Sequence, residues 1–94
     1  MSTFFMFGKY SSESIKGINA KRTEKAKAII KKYSGELKSA YALMGEYDLV
    51  LIIDCRDIQD AIKTSIALNK LTGISFSTIP AVPVEQFDKI VAET

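Results

Sequence analysis

Gly45-Glu46-Tyr47-Asp48 places two carboxylates and a phenol within three consecutive positions. Such a set can donate, accept and hold protons. Tyr10 and Tyr41 add further phenols, and Lys9 and Arg22 supply cations that suit the carboxylate of a small ligand. Glu46 and Asp48 lie two residues apart across a turn, so they meet only if the turn folds them together. Turn carboxylates usually stay solvated or bond nearby backbone amides. Asp48 is therefore expected to brace backbone rather than to act as an acid or base.

The chain contains no histidine. That excludes His–Ser and His–Cys nucleophilic pairs, histidine metal sites and the usual general base near pH 7. Cys55 is the only cysteine, which excludes a disulfide within the chain and a multi-cysteine zinc site. Beside Arg56 it has a weak claim to reactivity, but a lone cysteine at a strand end reads first as a small buried filler. No glycine-rich phosphate loop occurs. No metal and no cofactor are expected.

Ninety-four residues make one domain, 1–94, that is marginally stable alone. The net charge of +2 is uneven. Residues 9–32 carry eight basic side chains against two acidic ones, and the remainder of the chain nets −4. The basic segment reads as a solvated helix face. No aromatic alternates with its lysines, which argues against a nucleic-acid surface. Phe4–Phe7 is too short for a membrane span or a signal sequence, so the expectation is a cytoplasmic protein without membrane contact.

Thr3–Tyr10 reads as a strand. Ile15, Ile18, Ala26, Ile29, Ile30 and Tyr33 then recur at helical spacing, interrupted near 17–22 and stopped by Ser34-Gly35. Leu37–Met44 and Asp48–Asp54 read as antiparallel strands across a turn that Gly45 permits. In the first of them Leu37, Ser39, Tyr41 and Leu43 share a face. Asp57 caps a second helix ended by Gly73, whose packing face is expected to be Ile58, Ala61, Ile62, Ser65, Ile66 and Asn69, flanked by Leu68 and Leu71. Ile74–Ile79 is the fourth strand, ended by Pro80 and Pro83. Val84–Ala92 suits a short tail helix, docked through Phe87, Ile90 and Val91.

This order, β-α-β-β-α-β, predicts an α+β ferredoxin-like fold: an antiparallel sheet ordered 4-1-3-2 with both helices on one face. The two central strands, Phe4–Phe7 and Leu49–Ile53, are apolar on both faces. Helices cover one face only, and monomers avoid the contiguous apolar patch left on the other. A homodimer packed sheet against sheet is expected, with assembly into a higher oligomer left open.

The Gly45–Asp48 turn followed by Leu49–Ile53 resembles the GYD-domain family. Phe7, Tyr10, Arg22, Lys70-Leu71-Thr72-Gly73, Phe76, Thr78, Ala81 and Phe87 support the resemblance. Glu13-Ser14 and Cys55-Arg56 depart from its usual pattern. The family implies a dimeric α/β barrel of unassigned biochemical role, related in fold to the effector-binding domain of Lrp/AsnC regulators. Those regulators carry a helix-turn-helix ahead of this domain. Here the first strand is expected at once, so direct DNA binding is not. Related barrels include cofactor-independent monooxygenases, a likeness of fold alone.

Three function classes follow, the least favoured being a weak nucleic-acid or anion binder that uses the basic first helix. The first is a non-enzymatic homo-oligomeric module that binds a small ligand or serves assembly. The alternative is a cofactor-independent, monooxygenase-like enzyme acting on a small apolar or amphipathic substrate. The expected ligand site, between the sheet and the helices or at the dimer seam, uses Phe5, Phe7, Tyr41 and Ile52 as walls, with Tyr10 beside them and Lys9 or Arg22 as the anion holder. Gly45, Glu46, Tyr47 and Asp48 are expected to be architectural.

Overall fold

The computed structural model describes residues 1–94. Its elements are β1 (Ser2–Lys9), α1 (Ser12–Lys16), α2 (Ala20–Lys32), β2 (Glu36–Ala42), β3 (Leu49–Cys55), α3 (Ile58–Thr72), β4 (Ser75–Ala81) and α4 (Val84–Glu93). The strands form one antiparallel sheet in the order β2-β3-β1-β4. This is the expected ferredoxin-like arrangement. The core lies between the sheet and the helices α2 and α3, built on Phe4, Met6, Ile30, Leu51, Ile53 and Leu68.

Local chemistry explains the helix boundaries. Ser11 and Ser14 form a reciprocal capping box at α1, with N···O distances of 2.6 and 3.0 Å. Gly17 ends α1, and Asn19 starts α2 by accepting from the Arg22 N–H at 2.8 Å. The expected interruption is thus a clean break between two helices. Asp57 caps α3 at 2.9 Å, and Gly73, at φ 76°, closes it in the left-handed conformation. The end of α2 differs. Ser34 takes the left-handed conformation at φ 63°, while a Cβ on Gly35 would lie 3.0 Å from both Ile30 Cγ2 and the Ile30 carbonyl oxygen. Gly35 therefore serves close packing and Ser34 serves the turn.

Five expectations are corrected. In β2, a bulge between Leu37 and Ser39 shifts the register, so Leu37, Ala40 and Ala42 face the helices while Ser39 and Tyr41 face away. In α3, Asp60, Ala61, Thr64 and Leu68 are buried, whereas Ile58, Ile62 and Ile66 are half exposed. Pro80 does not end β4 but pairs opposite Phe4, which a sheet edge tolerates. Gly45 has no left-handed φ, and a Cβ there would meet nothing within 4 Å, so the turn does not require glycine. The tail helix forms as α4, but none of its residues is buried against the body.

Candidate functional site

The side chains with usable chemistry fall on opposite sides of the sheet. On the helix-covered side, a cavity of about 270 Å³ opens between α2 and the sheet. It exists because small residues meet there: Thr23 and Ala26 from α2 face Ala40 and Ala42 from the bulged part of β2. Leu49, Leu51, Leu68 and Phe76 make its floor and far wall apolar. Its polar groups are Tyr10, Arg22, Thr23, Lys27, Tyr41 and Thr72, with no carboxylate among them.

Arg22 is held in place. Its Nη1 donates to the Ser14 carbonyl at 2.7 Å, tying α2 to the end of α1. A Cβ at position 17 would lie 2.8 Å from that nitrogen, so the break at Gly17 also leaves the guanidinium its path. One Arg22 nitrogen is thereby used on backbone, and the planar fork retains further donors.

Asp48 controls the loop beside Tyr10. Its carboxylate accepts from the Tyr10 N–H at 2.9 Å. Its own N–H donates to the Gly8 carbonyl at 2.9 Å, and its carbonyl accepts from the Leu43 N–H at 2.8 Å. One residue thus stitches the ends of β1, β2 and β3. Glu46 is exposed at the loop tip and takes no part in an ion pair. The two carboxylates of the turn do not form a catalytic pair.

On the open side, Phe5, Phe7 and Tyr47 form a row. The Phe5 and Phe7 ring centroids are 6.3 Å apart, and Phe7 and Tyr47 are 5.2 Å apart. Lys9 Nζ lies 5.7 Å from the Tyr47 ring centroid, within cation–π range. Tyr47 stands in the loop because its ring extends this row. Ile52, Tyr41 and Ile79 continue the apolar surface across β3, β2 and β4, as the ladder registers require.

The expected site is therefore divided. Tyr10, Arg22 and Tyr41 border the cavity, although Tyr41 belongs by register to the open face. Phe5, Phe7, Lys9 and Ile52 lie on the open face. Sequence reasoning missed Ile18, Ala26, Ala40, Ala42 and Thr72 of the cavity wall. The pairing of small residues across helix and strand was the available signal, but the bulge that aligns them leaves no mark in the hydrophobic pattern.

Cys55 is buried. Burial pushes its thiol pKa upward, with Asp60, Asp54 and Asp57 adding to the shift. Arg56 does not offset this, because its guanidinium pairs with Asp60 at 2.9 Å. A reactive thiol needs the opposite environment. No helix is long and apolar enough to cross a membrane.

The GYD-domain family model matches residues 4–91. The chain belongs to the GYD-domain family. Comparison with curated proteins finds no match. Among solved structures, this GYD domain is similar to FFRP-DM1, with a TM-score of 0.61 and 26% identity over 87% of this chain and 100% of that one. A hypothetical protein from Pyrococcus horikoshii gives 0.57 and 24% identity, over 88% of this chain and 92% of that one. The leucine response regulatory protein of Mycobacterium tuberculosis gives 0.58 and 11% identity over 87% of this chain. The GYD domain spans about half (51%) of that regulator's length. At such identities the last two likenesses concern the fold alone.

Proposed function

We propose that this GYD-domain protein is a non-enzymatic, homodimeric small-ligand-binding module. Two copies pack open face to open face as a dimeric α/β barrel. Each holds a small, mostly apolar ligand with an anionic end in the cavity under α2. The observation that carries this reading is the cavity itself: about 270 Å³, apolar in its walls, with Arg22 and Lys27 at its edge. That volume lies near the lower end of ligand pockets, roughly 300–1,000 Å³. It suits a small organic acid better than a nucleotide cofactor. The mycobacterial relative in fold is named for its response to leucine, a molecule with an apolar side chain and a carboxylate. The absence of a carboxylate from the lining, in a chain without histidine, favours binding over acid–base catalysis.

The dimer rests on a separate observation. Phe5, Phe7 and Ile52 remain partly exposed in the single chain, beside exposed Tyr41 and Ile79. A face of that kind calls for a partner sheet.

The test is native mass spectrometry of freshly purified protein, followed by titration with branched and aromatic carboxylic acids. A retained or titrated acid is expected at one per chain. Ala40→Leu should fill the cavity and abolish binding. Arg22→Gln should weaken it by about tenfold or more, the loss of a charge-assisted hydrogen bond worth about 1.5–3 kcal/mol. Binding unaffected by Ala40→Leu in folded protein would place the ligand elsewhere.

A further inference from the structure

The ten residues of α4 form a helix that buries none of its side chains against the chain. Its N-terminus has no side-chain cap, and none of its residues is buried. Isolated helices shorter than ~12–15 residues are marginal in water, so α4 needs a packing partner. Val84, Phe87, Ile90 and Val91 fall on one side at helical spacing, and Phe87 is 54% exposed.

A second apolar stripe lacks a partner on the body. Ile58, Ile62 and Ile66 repeat every four residues along α3, and Ile62 is 50% exposed. The neighbouring residues fix where this stripe lies. Ser65 Oγ meets Thr78 Oγ1 at 2.6 Å, and Asn69 Nδ2 donates to the Ile74 carbonyl at 2.9 Å. The stripe therefore runs beside the β4 edge, where a shallow hollow is lined by Ser65, Ile66, Asn69 and Phe76.

We infer that α4 of one copy docks on the α3 stripe of a second copy. The two surfaces match in length: at 1.5 Å per residue, each apolar row spans about 11–12 Å. They also match in charge. The polar side of α4 carries Glu85, Asp88 and Glu93 against Lys89, while Lys63 and Lys70 flank or extend the α3 stripe. The acidic balance of α4 argues against a lipid surface, which selects Lys and Arg on the polar face.

A chain cannot readily satisfy its own stripe. β4 stays paired through Ala81, opposite Thr3. Only Val82 and Pro83 then precede α4, and Pro83 is extended at φ −59° and ψ 148°. With that linker α4 buries none of its residues, on α3 or elsewhere in its own chain. The α3 stripe and the open face lie on opposite sides of the sheet. Exchange of α4 therefore joins one open-face dimer to the next, and the contact stands whether or not the cavity binds a ligand.

Two measurements test this. Mixing an Ile62→Cys chain with a Phe87→Cys chain under mild oxidation should give a disulfide between the two; Cys55 is buried and stays silent. Native mass spectra should show an assembly larger than a dimer. Ile62→Asp or Phe87→Asp should each reduce it to the dimer while circular dichroism keeps the fold. The inference is overturned if a chain carrying both cysteines crosslinks only within itself. It is overturned equally if neither aspartate variant changes the mass, or if α4 instead drives binding to phosphatidylglycerol vesicles.

Discussion

On β1, Phe4 and Met6 face the helices while Phe5 and Phe7 face away; on β3, Leu51 and Ile53 face the helices while Ile52 faces away. The two faces of the sheet are built from the same residue types, yet along β1 and β3 the helix side is largely sealed, while the open side, Val50 apart, is only partly covered. Alternation along each strand puts apolar groups on both sides, and the connections put α2 and α3 on one side only. The difference teaches that hydrophobicity alone did not choose the covered face; the right-handed crossovers did. It also assigns different work to each side. The sealed side carries stability and leaves a cavity where small residues meet. The half-covered side is a partly exposed apolar surface that a second sheet would cover in the proposed dimer.

The comparison breaks most sharply at adjacent residues of β3. Ile53→Ala removes a fully buried side chain and should cost about 2–5 kcal/mol. Ile52→Ala should cost about 1 kcal/mol or less in the isolated chain, with a penalty that grows with protein concentration as the partner covers it. Urea melts at two concentrations measure both. Equal, concentration-independent losses would mean that the open face is not an interface. Asp48→Ala comes next. It deprives the Tyr10 N–H of a charged acceptor and should lower stability by about 1.5–3 kcal/mol. Amide exchange at Tyr10 should speed up with it; an unchanged melt would show that strand pairing alone holds the loop. Tyr47→Leu is milder. It removes the ring contact with Phe7 and the Lys9 cation, worth about 0.5–1.5 kcal/mol. Its effect should be larger in the dimer than in dilute protein, and a uniform effect would confine Tyr47 to its own loop.

Much of the sheet was legible in the sequence because its determinants are local or topological. Asp57 and Gly73 bracket α3 by capping chemistry, and Gly17 and Asn19 mark the break between α1 and α2. Strand order then followed from crossover handedness. What escaped depended on side-chain direction. The bulge at Lys38 inverts the faces of β2, and periodicity counted across it puts Tyr41 with Leu37. In α3 the apolar residues cover more of the helix than the sheet can bury. Ala61 holds the expected face, but the isoleucines that looked like the rest of it are half exposed, and Thr64 and the flanking Leu68 take their place. Proline signalled a strand end at Pro80, but an edge strand has a free side. Direction also sorts the candidate site: Phe5, Phe7, Tyr41 and Ile52 share the open face, where a dimer seam was one of the two expected places, while Arg22 lies at the cavity under α2.

Asp54 and Cys55 carry the comparison to its smallest measurable effect, because consecutive residues face opposite ways. On the open side, Asp54 accepts from Thr3 Oγ1 at 2.7 Å and lies 3.9 Å from Lys38 Nζ. On the sealed side, Cys55 is buried, and burial followed by Asp60, Asp54 and Asp57 raises its pKa above the usual 9.0. In the unfolded chain the thiol loses its proton near that usual value, while the folded protein retains it. The folded state then binds more protons, so stability is complete below about pH 9 and falls as pH rises toward the folded pKa. The slope for this one group is at most about 1.4 kcal/mol per pH unit. Cys55→Ala should remove that alkaline decline while leaving the rest of the pH profile unchanged. A thiol that is alkylated by iodoacetamide at pH 8 in folded protein, as fast as in urea, would show that the end of β3 is open on both faces.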